Sequence, residues 1–188
     1  MNLRTTVLGV AVLLAFVPLA RAGDTSATGA LNVPANRIVG LWSNLGSVSP
    51  CDSGLPPGVV SNVLLFHAGG TVSENAPFPP SGVPNVYGVP GINQRNNGLG
   101  TWAYEPSNHT YTVHLRFDWW VNGAYHGYQT VDRLALMSAD GSNWPAERHA
   151  VRTHEGETFS GPVRSVRYAL DGSVIIDLCG DATSTRLP

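Results

Sequence analysis

The side chains that could do chemistry in this chain are few and scattered. Its six histidines, His67, His109, His114, His126, His149 and His154, fall in different segments. No Gly-x-Ser-x-Gly elbow, His-Glu-x-x-His pair or glycine-rich phosphate loop accompanies them. The common nucleophilic, zinc-peptidase and nucleotide chemistries therefore have no motif to stand on. The densest polar group is His126, Tyr128 and Asp132, at alternating positions after Asn122-Gly123. An imidazole and a carboxylate suit a general base and the group that orients it. Along one strand, however, the step from His126 to Asp132 covers about 20 Å, so the two do not touch. Their other use is as polar anchors in a cavity walled by Tyr104, Phe117 and Trp119. They serve equally as core side chains hydrogen-bonded to near neighbours or to arginines. Neither a metal site nor a cofactor is expected from these residues.

The inward stripe rests on strand periodicity. Over residues 110–120 one face carries Tyr111, Val113, Leu115, Phe117 and Trp119, and the other Thr112, His114, Arg116 and Asp118. Exposing the first set to water is costly, so it is the core face. Asn-Gly is a preferred two-residue hairpin turn. With that turn Val121 faces Ala124, Trp119 faces His126, Phe117 faces Tyr128, Leu115 faces Thr130 and Val113 faces Asp132. His126, Tyr128 and Asp132 then point inward; a three-residue turn would slip the pairing and turn them out.

The elements that must position these residues are all strands. Period-two apolar patterns predict strands at 38–42, 59–67, 71–75, 100–105, 110–120, 125–137, 157–169 and 173–183. Between them stand turn signals such as Pro56-Pro57-Gly58, Ala68-Gly69-Gly70, Asp140-Gly141 and Asp171-Gly172. Residues 145–152 fit one helical turn or a further strand. The reading is all-β: a single antiparallel up-and-down barrel of about eight strands, which removes exposed edges. A barrel of that size is filled by side chains or holds one small ligand. A two-sheet sandwich is the alternative. Residues 76–97, rich in Pro, Gly and Asn, form an insertion long enough to be a lid or a passive surface loop. Phe78 and Tyr87 are its candidates for covering a barrel mouth.

The N-terminus reads as an export signal. Arg4, an apolar run over 7–20 and Ala20-Arg21-Ala22 make a secretory leader at 1–22, cleaved before Gly23. The run is shorter than the roughly 20 residues a membrane-crossing helix needs. Residues 23–36 read as a flexible lead-in and 37–188 as the barrel domain, secreted or periplasmic, with no stable membrane insertion after cleavage. Every one of the 11 basic residues is Arg, and the formal charge is −2. Removing the leader takes away Arg4 and Arg21 and makes the rest more acidic. Such a surface, without a basic cluster, speaks against nucleic acid or anionic membranes as partners. In an oxidising compartment Cys51 and Cys179 are expected to form a disulfide. Closing so long a loop stabilises by about 4–5 kcal/mol in the chain-entropy view.

One resemblance follows from these residues. Gly40-Leu41-Trp42 on the first strand, with Arg186 after the last, is similar to the closure of lipocalin-type calycin barrels. There, a floor tryptophan is covered by an arginine from the far end of the chain through a cation–π contact. Gly100-Thr101-Trp102 and the meander after it also resemble the allene-oxide-cyclase-like barrels of secreted proteins. The resemblance implies a barrel closed by Trp42 and Arg186 and carries over no catalytic residue. The leading functional expectation is a non-enzymatic barrel that binds a small apolar or amphipathic molecule in its interior. The alternatives are a cofactor-free isomerase or cyclase acting by shape, and a non-catalytic structural or interaction module of the cell envelope.

Overall fold

The computed structural model describes residues 34–76, 78–137 and 157–188. The leader, most of the lead-in, the Asp140-Gly141 turn, residues 145–152, His149 and His154 lie outside them. The described residues form ten strands: β1 (Gly40–Pro50), β2 (Gly58–His67), β3 (Thr71–Asn75), β4 (Val83–Pro84), β5 (Ile92–Arg95), β6 (Gly98–Glu105), β7 (Thr110–Val121), β8 (Ala124–Met137), β9 (Thr158–Tyr168) and β10 (Val174–Arg186). β1, β2, β3, β6, β7, β8, β9 and β10 are hydrogen-bonded in that order, and β10 returns to β1. Every pairing is antiparallel, so the chain is an up-and-down barrel with no open edge in the ring. The sandwich alternative is excluded.

β4 and β5 stand outside the ring as a small ribbon. β7 is long enough to be bordered twice along the same side. Its first part pairs with β6 from Glu105↔Thr110 to Leu99↔Arg116, and its last residues pair with β5 at Arg95↔Trp119 and Asn93↔Val121. The segment expected as one long loop is thus partly built into the sheet. Pro34–Asn36, the end of the lead-in, makes a 3-10 turn, and Ile38 after it is fully buried.

β1 runs well beyond the expected 38–42. Its inward positions are Trp42, Asn44, Gly46 and Val48, and the Asn and Gly among them hide the apolar alternation. β10 likewise continues to include Arg186. The Cys51–Cys179 disulfide is present and ties the end of β1 to β10 across a separation of 128 residues.

The expected β7–β8 register is corrected by one residue. The Asn122-Gly123 turn does place Val121 opposite Ala124, but a bulge follows, with Trp120 opposite Tyr125 and Trp119 opposite Gly127. His126 is the extra residue. Below it Phe117 faces Gln129 and His114 faces Asp132. The inward side chains of β8 are therefore Gln129, Val131, Arg133 and Ala135, while Tyr128 and Asp132 stand on the outer face. The cause lies at Gly127, where φ is +130° and a Cβ would sit 2.0 Å from the Tyr168 carbonyl oxygen. Only glycine lets β8 pass β9 so closely.

The same device recurs at Gly100, where a Cβ would meet the His114 carbonyl oxygen at 1.8 Å. Gly100→Ala must push β6 off β7 and is expected to cost about 1–3 kcal/mol or more. Gly58→Ala is the control, because the nearest atom to its added Cβ is 3.8 Å away. Urea denaturation should show a clear fall in midpoint for the first and little change for the second. Equal midpoints would mean that β6 and β7 do not approach so closely.

One end of the barrel is closed by an apolar core. Ile38, Trp42, Leu64, Phe66, Trp102, Tyr111 and Phe159 form its apolar cluster. The Arg186 guanidinium lies 4.2 Å from the Trp42 ring centroid, and the Trp42 indole N–H donates to the Ile38 carbonyl at 2.7 Å. Arg186 also donates to the Val39 carbonyl and pairs with Glu157. The floor contact between Gly-x-Trp and the terminal arginine is therefore made.

Candidate functional site

At the opposite end the interior is open. A cavity of about 350 Å³ lies between β1, β2, β7, β8 and the insertion. Its apolar wall includes Val48, Val60, Phe117, Trp119, Val131 and Leu178, and its cover is Phe78, Val83, Val86 and Tyr87. The volume is within the range of small-molecule pockets, roughly 300–1,000 Å³.

A polar layer separates this cavity from the apolar core. Arg133 donates to Asn44 at 2.8 Å, to Ser184 at 3.0 Å and to the Ala182 carbonyl at 2.6 Å. Its guanidinium lies 4.4 Å from the Phe159 ring centroid. Asn44 donates to Asn62 at 2.7 Å, and Asn62 donates to Glu74. Arg95 then grips the Glu74 carboxylate through two bonds of 2.7 Å each. Asn44, Asn62, Glu74 and Arg95 all line the cavity. Arg95 is 4.0 Å from the Phe117 ring centroid and 5.6 Å from that of Phe78. It thus links the barrel wall to the cover.

A second network closes the upper wall. The Trp119 indole N–H donates to Gln129 at 2.7 Å, and Gln129 donates to Ser165 at 2.6 Å. Arg167, wholly buried, lies against Trp119 with its guanidinium 4.1 Å from the indole centroid. Burial pushes both Arg133 and Arg167 down to about 10, with Tyr87 partly opposing the shift at Arg167. Both remain cationic at neutral pH.

The cover is held on the barrel by specific contacts. Phe78 packs edge-on against Trp119 with centroids 5.4 Å apart. Asn93 of β5 donates to the Val89 and Gly91 carbonyls and accepts from Arg167 at 3.1 Å. Asn85 and Tyr87 both adopt left-handed backbone, φ +54° and +52°, which is uncommon for a residue with a Cβ and unusual for tyrosine. Tyr87 keeps about a third of its surface in solvent (36%), yet burial of its phenol end raises its pKa, against the fields of Arg95 and Arg167.

Of the residues expected in the site, Phe117 and Trp119 line the cavity, and Phe78 and Tyr87 cover it. Tyr104 is at the other end of the barrel, against Tyr111 and hydrogen-bonded to His109 at 2.7 Å. Tyr104 pairs with Tyr111 on β7, six residues before Phe117, so Tyr104 and Phe117 do not share a wall. Tyr128 stands outside, stacked on Tyr168 and under Arg116. Asp132 is outside too, 2.6 Å from His114 Nδ1 with both side chains more than half exposed, an arrangement worth little in stability. His126 is half-buried in the bulge, and its buried Nδ1 has no partner among the described residues. In their place the interior carries Asn44, Asn62, Glu74, Arg95, Gln129 and Ser165. The alternation of Val72 with Glu74, and a lone Gly127 inside a strand pattern, were the available signals. No family model, curated protein or solved structure matches this chain.

Proposed function

We propose that this protein is an exported binding barrel that holds a small amphipathic molecule in the cavity under residues 78–91. The observation that carries the reading is a cavity with apolar walls and a polar floor, covered by Phe78, Val83, Val86 and Tyr87. Arg133, Asn44, Asn62, Glu74 and Arg95 are already bonded to one another, so the floor can orient a polar group without being rearranged. Strained backbone at Asn85 and Tyr87 fits a cover that opens to admit the ligand. The disulfide suits an oxidising compartment. The Trp42–Arg186 closure on a meander barrel supports a calycin-like origin for the same architecture.

Ala182 lines the cavity and is 4% exposed. Ala182→Phe would place a ring in the empty space and leave the wall otherwise intact. Native mass spectrometry of protein purified from its own source should show a retained small molecule, and the variant should retain at least about tenfold less. Its thermal midpoint should move little, since the added apolar surface enters open space. Equal retention in the two proteins would place the ligand elsewhere. Tyr128→Phe, on the outer face, should leave retention unchanged.

A further inference from the structure

The charged groups of the interior do not balance. Among the described residues, Arg37, Arg95, Arg133, Arg167 and Arg186 are largely withdrawn from water, and only Glu74 and Glu157 accompany them. The chain as a whole is acidic, with a formal charge of −2. Positive charge is therefore concentrated inside a protein whose surface carries the opposite sign. Burying a cation is costly unless it is paired.

Arg95 and Arg186 have their carboxylates, and Arg133 is held by neutral acceptors on two of its three nitrogens. Arg167 differs. It is 0% exposed, and one nitrogen bonds Asn93. Its Nε and Nη2 are buried with no partner among the described residues. These two nitrogens lie along one edge of the guanidinium and point the same way. Arg164, three residues earlier on the same strand, uses that edge to hold the Asp177 carboxylate, with Nε and Nη2 at 3.0 and 2.6 Å. A planar fork of two N–H groups matches a carboxylate.

Arg167 does not itself line the cavity, but two of its neighbours do. Trp119, on which it stacks, and Tyr87, whose phenol lies in its field, both line that space. Asn93, its one hydrogen-bond partner among the described residues, is tied to the cover at Val89 and Gly91. A cover that lifts would carry Asn93 away from Arg167.

Resting on the binding reading above, we propose that the ligand is a small organic carboxylate whose anionic end pairs side-on with Arg167 while its apolar part lies along Val48, Val60 and Leu178. One open fork matches one carboxylate; a doubly charged group would find no second free fork among the described residues, because Arg95 is already bound to Glu74.

The test uses two probes of equal chain length, octanoate and 1-octanol, titrated calorimetrically at pH 7.5 into protein stripped of bound material. Octanoate should bind at least about tenfold more tightly than octanol, as a charge-assisted pair allows. In Arg167→Met the octanoate preference should vanish while octanol affinity stays within about twofold. Arg167→Lys, which keeps the charge and loses the fork, should fall between. Should Arg167→Met not fold, Arg167→Lys decides in its place, and full preference in that variant overturns the assignment. Equal binding of the two probes to the natural protein, both lost in Ala182→Phe, overturns the carboxylate inference and leaves the cavity reading standing. Binding of neither probe overturns both.

Discussion

Glu74→Gln should be among the most destabilising single substitutions in the barrel, at about 3–5 kcal/mol. The change keeps shape and removes one charge. Arg95 and Glu74 expose only 5% and 2% of their side chains, so the arginine would keep its charge in a poorly solvated place with no anion beside it. Asn62, which donates to the Glu74 carboxylate, would lose a charged acceptor as well. For a domain of this size the loss corresponds to a fall in thermal midpoint of roughly 10 °C. The double variant Glu74→Gln, Arg95→Met should recover most of it, because breaking the pair is costly while replacing both members is not. Urea denaturation of the natural protein, both single variants and the double variant gives the full cycle. A Glu74→Gln effect below about 1 kcal/mol would mean that water reaches the pair and that the floor of the cavity is wet.

Trp42→Ala should be comparably severe, about 3–5 kcal/mol, but for a different reason. Trp42 is wholly buried, meets Phe159 edge-on with centroids 4.6 Å apart and lies under Arg186. Truncation leaves a large hole at the closed end and removes the ring on which a buried cation rests. It also frees the Ile38 carbonyl, which is the anchor of the N-terminal segment. Trp42→Phe separates these effects. It keeps most of the apolar volume and loses the N–H, so its cost should be only about 1–2 kcal/mol. Hydrogen exchange should speed up first around Ile38 and β1 in Trp42→Ala, ahead of the cavity end. Uniform acceleration throughout the barrel would show instead that the closed end and the rest unfold as one unit. Ligand retention should survive Trp42→Phe, since the cavity lies at the other end.

What the sequence determined by itself was local. Period-two patterning located all eight strands of the ring, and Asn122-Gly123 marked its hairpin, because alternation and turn chemistry are short-range properties. The Cys51–Cys179 bond and the Trp42–Arg186 contact were also legible. A lone cysteine pair has one partner to choose, and a Gly-x-Trp with a terminal arginine is a pattern of residue types. Strand ends were less legible where the inward row contains Asn44 and Gly46, whose types do not look buried until a partner such as Arg133 is seen beside them.

Tertiary structure alone decided which side chains share the cavity. The register of β8 turned on Gly127, whose missing Cβ matters only because the Tyr168 carbonyl of another strand passes 2.0 Å from that position. One bulged residue moves every later side chain to the other face. It replaced Tyr128 and Asp132 by Gln129 and Arg133, and so replaced an expected stripe of anchors by a different one. Arg95 and Arg167 were not legible as inward residues for a related reason, and Glu74 was legible only through its alternation with Val72. A charged residue on a strand reads as outward-facing, and only the closure of the barrel brings these three inside. There a buried carboxylate, two cations and a covering segment meet from strands far apart in the chain.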